Sequence, residues 1–175
     1  GMATANTLAG VRAGATQVEG TINGIGERAG NTALEEVIMA ICCQPELYGV
    51  QTSINTREIA RTSQLVEEYT GVTVPRYKPV VGKNAFAHAS GIHQDGVLKS
   101  PDTYEIIRPE TVGMGASQIV LTSRSGRHAL RVRLEQLGFE IAQDRLGIVY
   151  ERFLRLADAK GRVEDHDLMR LVQDT

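Results

Sequence analysis

The chain has 175 residues, enough for one domain or for a small domain with part of another. Its 19 basic and 21 acidic side chains leave a formal charge of −2, which offers no basic footprint for nucleic acid or an anionic membrane. Apolar residues make up 42% of the sequence, so a packed core is expected, whereas no apolar run reaches the roughly 20 residues of a membrane span and the first residues do not read as a secretory signal.

Taken in chain order, Thr4–Gly14 predicts a helix, with Leu8 and Val11 at helical spacing. Gln17–Ile22 alternates, placing Val18, Gly20 and Ile22 on one side, and predicts a strand. Behind it lies the most informative stretch, Asn23 to Asn31, with Gly24, Gly26 and Gly30, a Glu27–Arg28 couple and a terminal Asn. Glycines there permit positive φ and close approach of backbone to a ligand. A helix opening behind them offers unpaired N–H groups to an oxyanion or phosphate. Strand, glycine-rich loop and helix in that order form the mouth of an α/β active site.

The second helix is expected over Thr32–Cys43, with Asn31 as its N-cap and Leu34, Val37, Ile38 and Ile41 as its apolar stripe. Cys42 and Cys43 read as buried, reduced core residues, because adjacent cysteines make a poor disulfide and no third is present. A reducing cytoplasm follows. A third helix is signalled at Thr56–Tyr69, capped by Asn55 with Glu58 three residues on and stopped by Gly71. Val72–Gly82 carries Pro75 and Pro79 and reads as an extended linker at a domain boundary. Beyond it, helices are expected at Ala85–Leu98, Gly126–Leu137, Arg145–Ala159 and Asp165–Val172, with a strand-like run at Gln118–Leu121.

A closed (β/α)8 barrel takes about 250 residues, and one strand–loop–helix unit precedes the linker. The expected class is therefore α/β, with 1–74 the C-terminal part of a TIM barrel and 75–175 mostly helical accessory subdomains. In the second half, His88 and His93 are five apart and lie on different faces of a helix, so a shared metal is not expected. One of them suits a proton carrier, with Asp95 or a water setting its tautomer. Tyr104 follows a turn at Ser100–Pro101 and could donate to a developing oxyanion. His128, where a helix begins, reads as structural, and His166, between two acids, as solvated.

Four runs, QVEGTINGIGERAGN (17–31), FAHASGIHQDGVLK (86–99), TYEIIRPETVG (103–113) and SGRHAL (125–130), resemble the 2-isopropylmalate synthase family in order and spacing. Citramalate and homocitrate synthases share much of these motifs, so the keto acid stays open. The resemblance implies a Claisen condensation of acetyl-CoA with a 2-keto acid, 2-oxoisovalerate in leucine synthesis, on a divalent cation such as Mg²⁺ or Mn²⁺. It implies that Asn31 is one metal ligand and that Asn23, Gly24, Gly26, Glu27, Arg28 and Gly30 line the acetyl-CoA side. It also implies that His93 and Tyr104 are catalytic, delivered by the linker subdomain to the partner's barrel in a homodimer. Two departures accompany it. Ala89 stands where the family carries an acidic residue, and the family's early Asp and His-x-His ligands lie ahead of Gly1, so this chain alone is expected to be inactive. A non-catalytic association module is the reading from another class.

Overall fold

The computed structural model describes residues 1–100, 106–115 and 118–173. The chain divides into two compact units, one formed by Gly1–Phe86 with Ile107–Ala116, the other by Ala87–Ile106 with Ser117–Thr175. In the first unit, α1 spans Ala3–Arg12, α2 Leu34–Cys43, α3 Pro45–Tyr48 and α4 Ile59–Thr70. The second unit has α5 at Gly91–Lys99, α6 at Arg127–Gln136, α7 at Gln143–Lys160 and α8 at Asp165–Gln173, with short strands β1 (Ala87–His88) and β2 (Gln118–Ile119).

The first unit is built around α2, whose Val37, Ile38, Met39 and Ile41 are all buried. Ile38 and Met39 pack with Ile59 of α4, with Val80 and Val81, and with Val112 from the 3-10 turn at Pro109–Val112. Val72–Gly82 is thus not an extended linker. It turns back on itself, Gly82 N–H reaching Lys78 O at 3.0 Å, and its two valines enter the core because burying them removes apolar surface from water. Asn55 does cap the third helix, its Oδ1 accepting the Arg57 N–H at 3.3 Å ahead of a 3-10 turn at Thr56–Glu58. Gly71 in a left-handed conformation closes α4 as expected.

Gln17–Ile22 does not become a strand. Its alternation survives only as far as Gly20: Val18 and Gly20 are half-buried while Gln17 and Glu19 are exposed, but Thr21 and Ile22 are both half-buried. Its backbone pairing is limited to one parallel bridge, Thr21 with Ala33. A strand persists only where a neighbour completes its ladder, and among the described residues of this unit no such neighbour strand exists. The cysteines also depart from expectation: Cys42 is exposed and Cys43 half-buried, both as free thiols. Cys43 touches the core, and burial, then the neighbouring Cys42, raises its thiol pKa.

In the second unit, α6, α7 and α8 enclose Leu130, Leu134, Val149, Phe153, Ala157 and Leu168, with Leu121 and Val163 joined by an antiparallel bridge. Arg133 clasps Asp165 through two hydrogen bonds of 2.8 and 2.7 Å. Tyr150 stacks on Phe153 and donates its hydroxyl to Ser125 O at 3.0 Å. The helix expected over Ala85–Leu98 begins only at Gly91. The residues before it pair in parallel with β2, Ala87 opposite Gln118 and His88 opposite Ile119, which takes their backbone groups out of helical bonding. Among the described residues, no helix is long and apolar enough to cross a membrane.

Candidate active-site loop and histidine helix

The glycine-rich stretch forms a tight reversal between the Thr21 bridge and α2. Ile22–Gly24 makes one 3-10 turn in which Asn23 stands at φ 62° and Gly24 at φ 68°. The chain then returns on itself: Gly30 N–H bonds Glu27 O at 3.1 Å, and Asn31 N–H bonds Gly24 O at 2.9 Å. Gly30 sits at φ 99°, and a side chain there would run into the Gly24 carbonyl. Gly26 lies so close to the Asn31 side chain that a methyl group would displace the Asn31 amide.

Asn31 itself is exposed. It is not the N-cap of α2, as expected from sequence. That helix starts three residues later behind Ala33, with no side-chain cap. The Asn31 amide instead donates its Nδ2 to Ile25 O at 3.2 Å, which fixes the amide orientation and leaves Oδ1 as the side chain's acceptor. Thr21 Oγ1 donates to the same carbonyl. A neutral amide oxygen suits a hard divalent cation as one ligand.

Asn23 plays a different part from its glycine neighbours. Its Nδ2 donates to Ser63 O at 3.0 Å, its Oδ1 accepts from Ser63 Oγ, and its backbone N–H bonds Glu35 Oε2 at 3.0 Å. Glu35 is 1% exposed. Its other oxygen, Oε1, makes no hydrogen bond among the described residues but meets Lys78 Nζ at 3.4 Å as an ion pair, and Lys78 also holds Glu36 at 2.8 Å. Thr4 of α1 completes the group with a 2.7 Å bond to Glu36. Glu27 and Arg28, by contrast, face solvent, each 85% exposed and 3.6 Å apart, a pair that contributes little to stability.

The second unit carries His93 on α5, exposed, beside a Gln94 that is fully buried. Gln94 Nε2 donates to His88 O at 2.8 Å and to Val120 O at 2.9 Å, while Val120 N–H bonds His88 O at 3.0 Å. Thr122 Oγ1 reaches Ala89 O at 3.4 Å, and Gly91 N–H bonds Arg124 O at 3.1 Å. The start of α5 is therefore bolted to the β2 segment from several sides. His88 is half-buried beside this seam. Tyr104 lies outside the described residues.

The sequence singled out the loop glycines, Asn31 and His93, but not the polar residues that hold them. Glu35 could have been noticed as a carboxylate three residues before Ile38, on the buried face of an apolar helix. Ser63 carried no signal, because its partner is forty positions away. Among the described residues no group of three or more His, Cys, Asp or Glu could hold a metal ion.

Comparison with known proteins places these motifs. Residues 1–66 match the HMGL-like family, a family of TIM-barrel domains, and residues 80–161 match the family described as homocitrate synthase post-HMGL domain-like. The chain is 56% identical over 171 residues to the 2-isopropylmalate synthase of Photorhabdus laumondii, covering 98% of this chain and 33% of that protein. It is 55% identical to that of Geobacillus sp. strain WCH70 over 98% of the chain, and 56% identical to that of Heliobacterium modesticaldum over 99%. The chain spans about a third of the length of these curated relatives. Residues 1–66 are thus similar to the HMGL-like family and residues 80–161 to the homocitrate synthase post-HMGL domain-like family, and nearly the whole chain is similar to 2-isopropylmalate synthases.

Proposed function

We propose that this chain supplies part of the active site of an acetyl-CoA-dependent Claisen-condensing synthase. The reaction joins the methyl carbon of acetyl-CoA to the keto carbon of 2-oxoisovalerate and, with water, releases 2-isopropylmalate and CoA, a step of leucine synthesis. The observation that carries the reading is the Asn23–Asn31 loop, whose internal bonds fix the Asn31 amide with Oδ1 as its acceptor. The similarity to 2-isopropylmalate synthases over nearly the whole chain supports it.

A divalent cation, Mg²⁺ or Mn²⁺, would supply Lewis-acid polarisation of the keto oxygen. Asn31 would be one of its ligands, the others coming from outside the described residues. Gly24, Gly26 and Gly30 would let the backbone approach acetyl-CoA, and the exposed Glu27–Arg28 pair would line the same side of the mouth. Asn23 acts by holding this turn. His93, exposed on α5, takes the methyl proton or activates the hydrolytic water, and Tyr104 orients by hydrogen bond. On this reading 1–74 is the C-terminal part of the barrel and 75–175 the linker region, reaching the partner's barrel in a cytoplasmic homodimer.

The test is a hybrid in which this chain replaces the matching third of the Photorhabdus laumondii enzyme. CoA release from acetyl-CoA is then followed with 2-oxoisovalerate, pyruvate or 2-oxoglutarate. Release driven by 2-oxoisovalerate supports the proposal. A folded hybrid without CoA release would favour the second reading, an association module, to which the exposed Leu65, Tyr69 and Val72 along and just beyond α4 lend weight.

A further inference from the structure

We propose that Glu35 and Ser63 are positioning residues for Asn31, acting through Asn23; this rests on the reading of Asn31 as a cation ligand. The path is a short series of contacts. Glu35 Oε2 on α2 accepts the Asn23 N–H at 3.0 Å, and Ser63 on α4 engages both ends of the Asn23 amide. Asn23 is thereby held from two helices at φ 62°, in the left-handed region where a residue other than glycine needs support. The next residue, Gly24, presents the carbonyl from which the Asn31 N–H hangs at 2.9 Å. Two residues past Asn23, Ile25 presents the carbonyl that orients the Asn31 amide. Placing Asn23 therefore places both anchors of Asn31.

The chemistry of the two holders supports the assignment. A carboxylate accepting a backbone N–H makes a stronger bond than a neutral acceptor. Burying it costs free energy unless a cation offsets the charge, and Lys78 stands 3.4 Å from its Oε1. Ser63 is 3% exposed, and its hydroxyl and carbonyl both engage Asn23. A buried carboxylate with one oxygen given to a loop N–H and the other to a lysine is a costly arrangement for core packing alone. It suits a loop that must be held in one shape.

The test is amide hydrogen exchange on the chain itself, resolved by residue, for the wild type, Glu35→Ala, Glu35→Gln and Ser63→Ala. Exchange at Asn23 and Asn31 is expected to quicken by about tenfold in Glu35→Ala and in Ser63→Ala. Amides of Val37–Ile41 and of α6–α8 are expected to stay within about twofold of the wild type. Glu35→Gln keeps an acceptor oxygen and is expected to restore most of the Asn31 protection. Unchanged Asn31 exchange in Glu35→Ala and Ser63→Ala overturns the proposal, as does acceleration spread evenly over the first unit. Should Glu35→Ala fail to fold, Ser63→Ala decides the matter: unchanged Asn31 exchange there overturns the proposal. The readout needs no cation, so it judges the clamp separately from the ligand role of Asn31, which the hybrid enzyme judges.

Discussion

Gln94 offers the sharpest energetic test, because its two sides pull in opposite directions. Its amide nitrogen donates two good hydrogen bonds, whereas its Oε1 is buried with no hydrogen-bond partner among the described residues. Gln94→Leu keeps the volume and removes both. Two hydrogen bonds at about 1 kcal/mol each are lost, and removing an unsatisfied buried oxygen returns about 1 kcal/mol, a net cost near 1 kcal/mol. His88 O keeps the Val120 N–H at 3.0 Å, so only Val120 O is newly stranded. Gln94→Ala adds a cavity and should cost about 3 kcal/mol. Gln94→Glu sets carboxylate oxygen against two carbonyls in a dry site and should cost about 3 kcal/mol or more at neutral pH. Burial would raise the folded pKa of that Glu, so its cost is smallest in acid and grows as pH rises through the carboxylate range. Urea denaturation followed by circular dichroism at pH 4 and pH 7 measures all three. The reasoning is refuted if Gln94→Leu is as damaging as Gln94→Ala, or if the Gln94→Glu penalty does not grow with pH.

Other consequences are more local. Gly113 at φ 77° and Gly71 at φ 69° look alike in sequence, but a side chain at Gly113 would strike the Arg57 carbonyl while Gly71 faces open space. Gly71→Ala should therefore cost about 1 kcal/mol and Gly113→Ala about 3 kcal/mol or more by denaturation. Lys160, foremost, then the Glu164 N–H hold the Asp167 carboxyl below its ordinary value. Its stabilising effect is present above the unfolded pKa and is lost as pH falls through the lower folded one, so Asp167→Asn should flatten the acid limb of stability below about pH 4. In the hybrid enzyme, His93→Ala should lower kcat by about 10²- to 10⁴-fold with the fold intact, read by CoA release and circular dichroism.

Helices at the C-terminal end were legible in the sequence almost to the residue. Arg145–Ala159 was expected where α7 runs Gln143–Lys160, and Asp165–Val172 where α8 runs Asp165–Gln173. There the apolar periodicity and the local stop signals agree, and Gly161 ends α7 with a positive φ. Expectation failed where distant partners decide. Val18 and Ile22 carry the pattern of a strand, but a ladder needs a neighbour, and one bridge at Thr21 is what the fold provides. Asn31 has the chemistry of an N-cap, yet Ile25 and Gly24, six and seven residues back, claim its amide and its N–H. His88 looked helical until β2 paired with it, Ile119 opposite His88. The loop's glycines and Asn31 could be read in advance because their spacing is local. Glu35 and Ser63 could not, since what they do depends on two helices meeting one turn.

The account stands most directly on Asn31. In the hybrid enzyme, Asn31→Ala should lower acetyl-CoA-dependent CoA release with 2-oxoisovalerate by about a hundredfold or more, while circular dichroism stays that of the parent hybrid. Release within about threefold of the parent would contradict the claim that this loop exists to present a cation ligand.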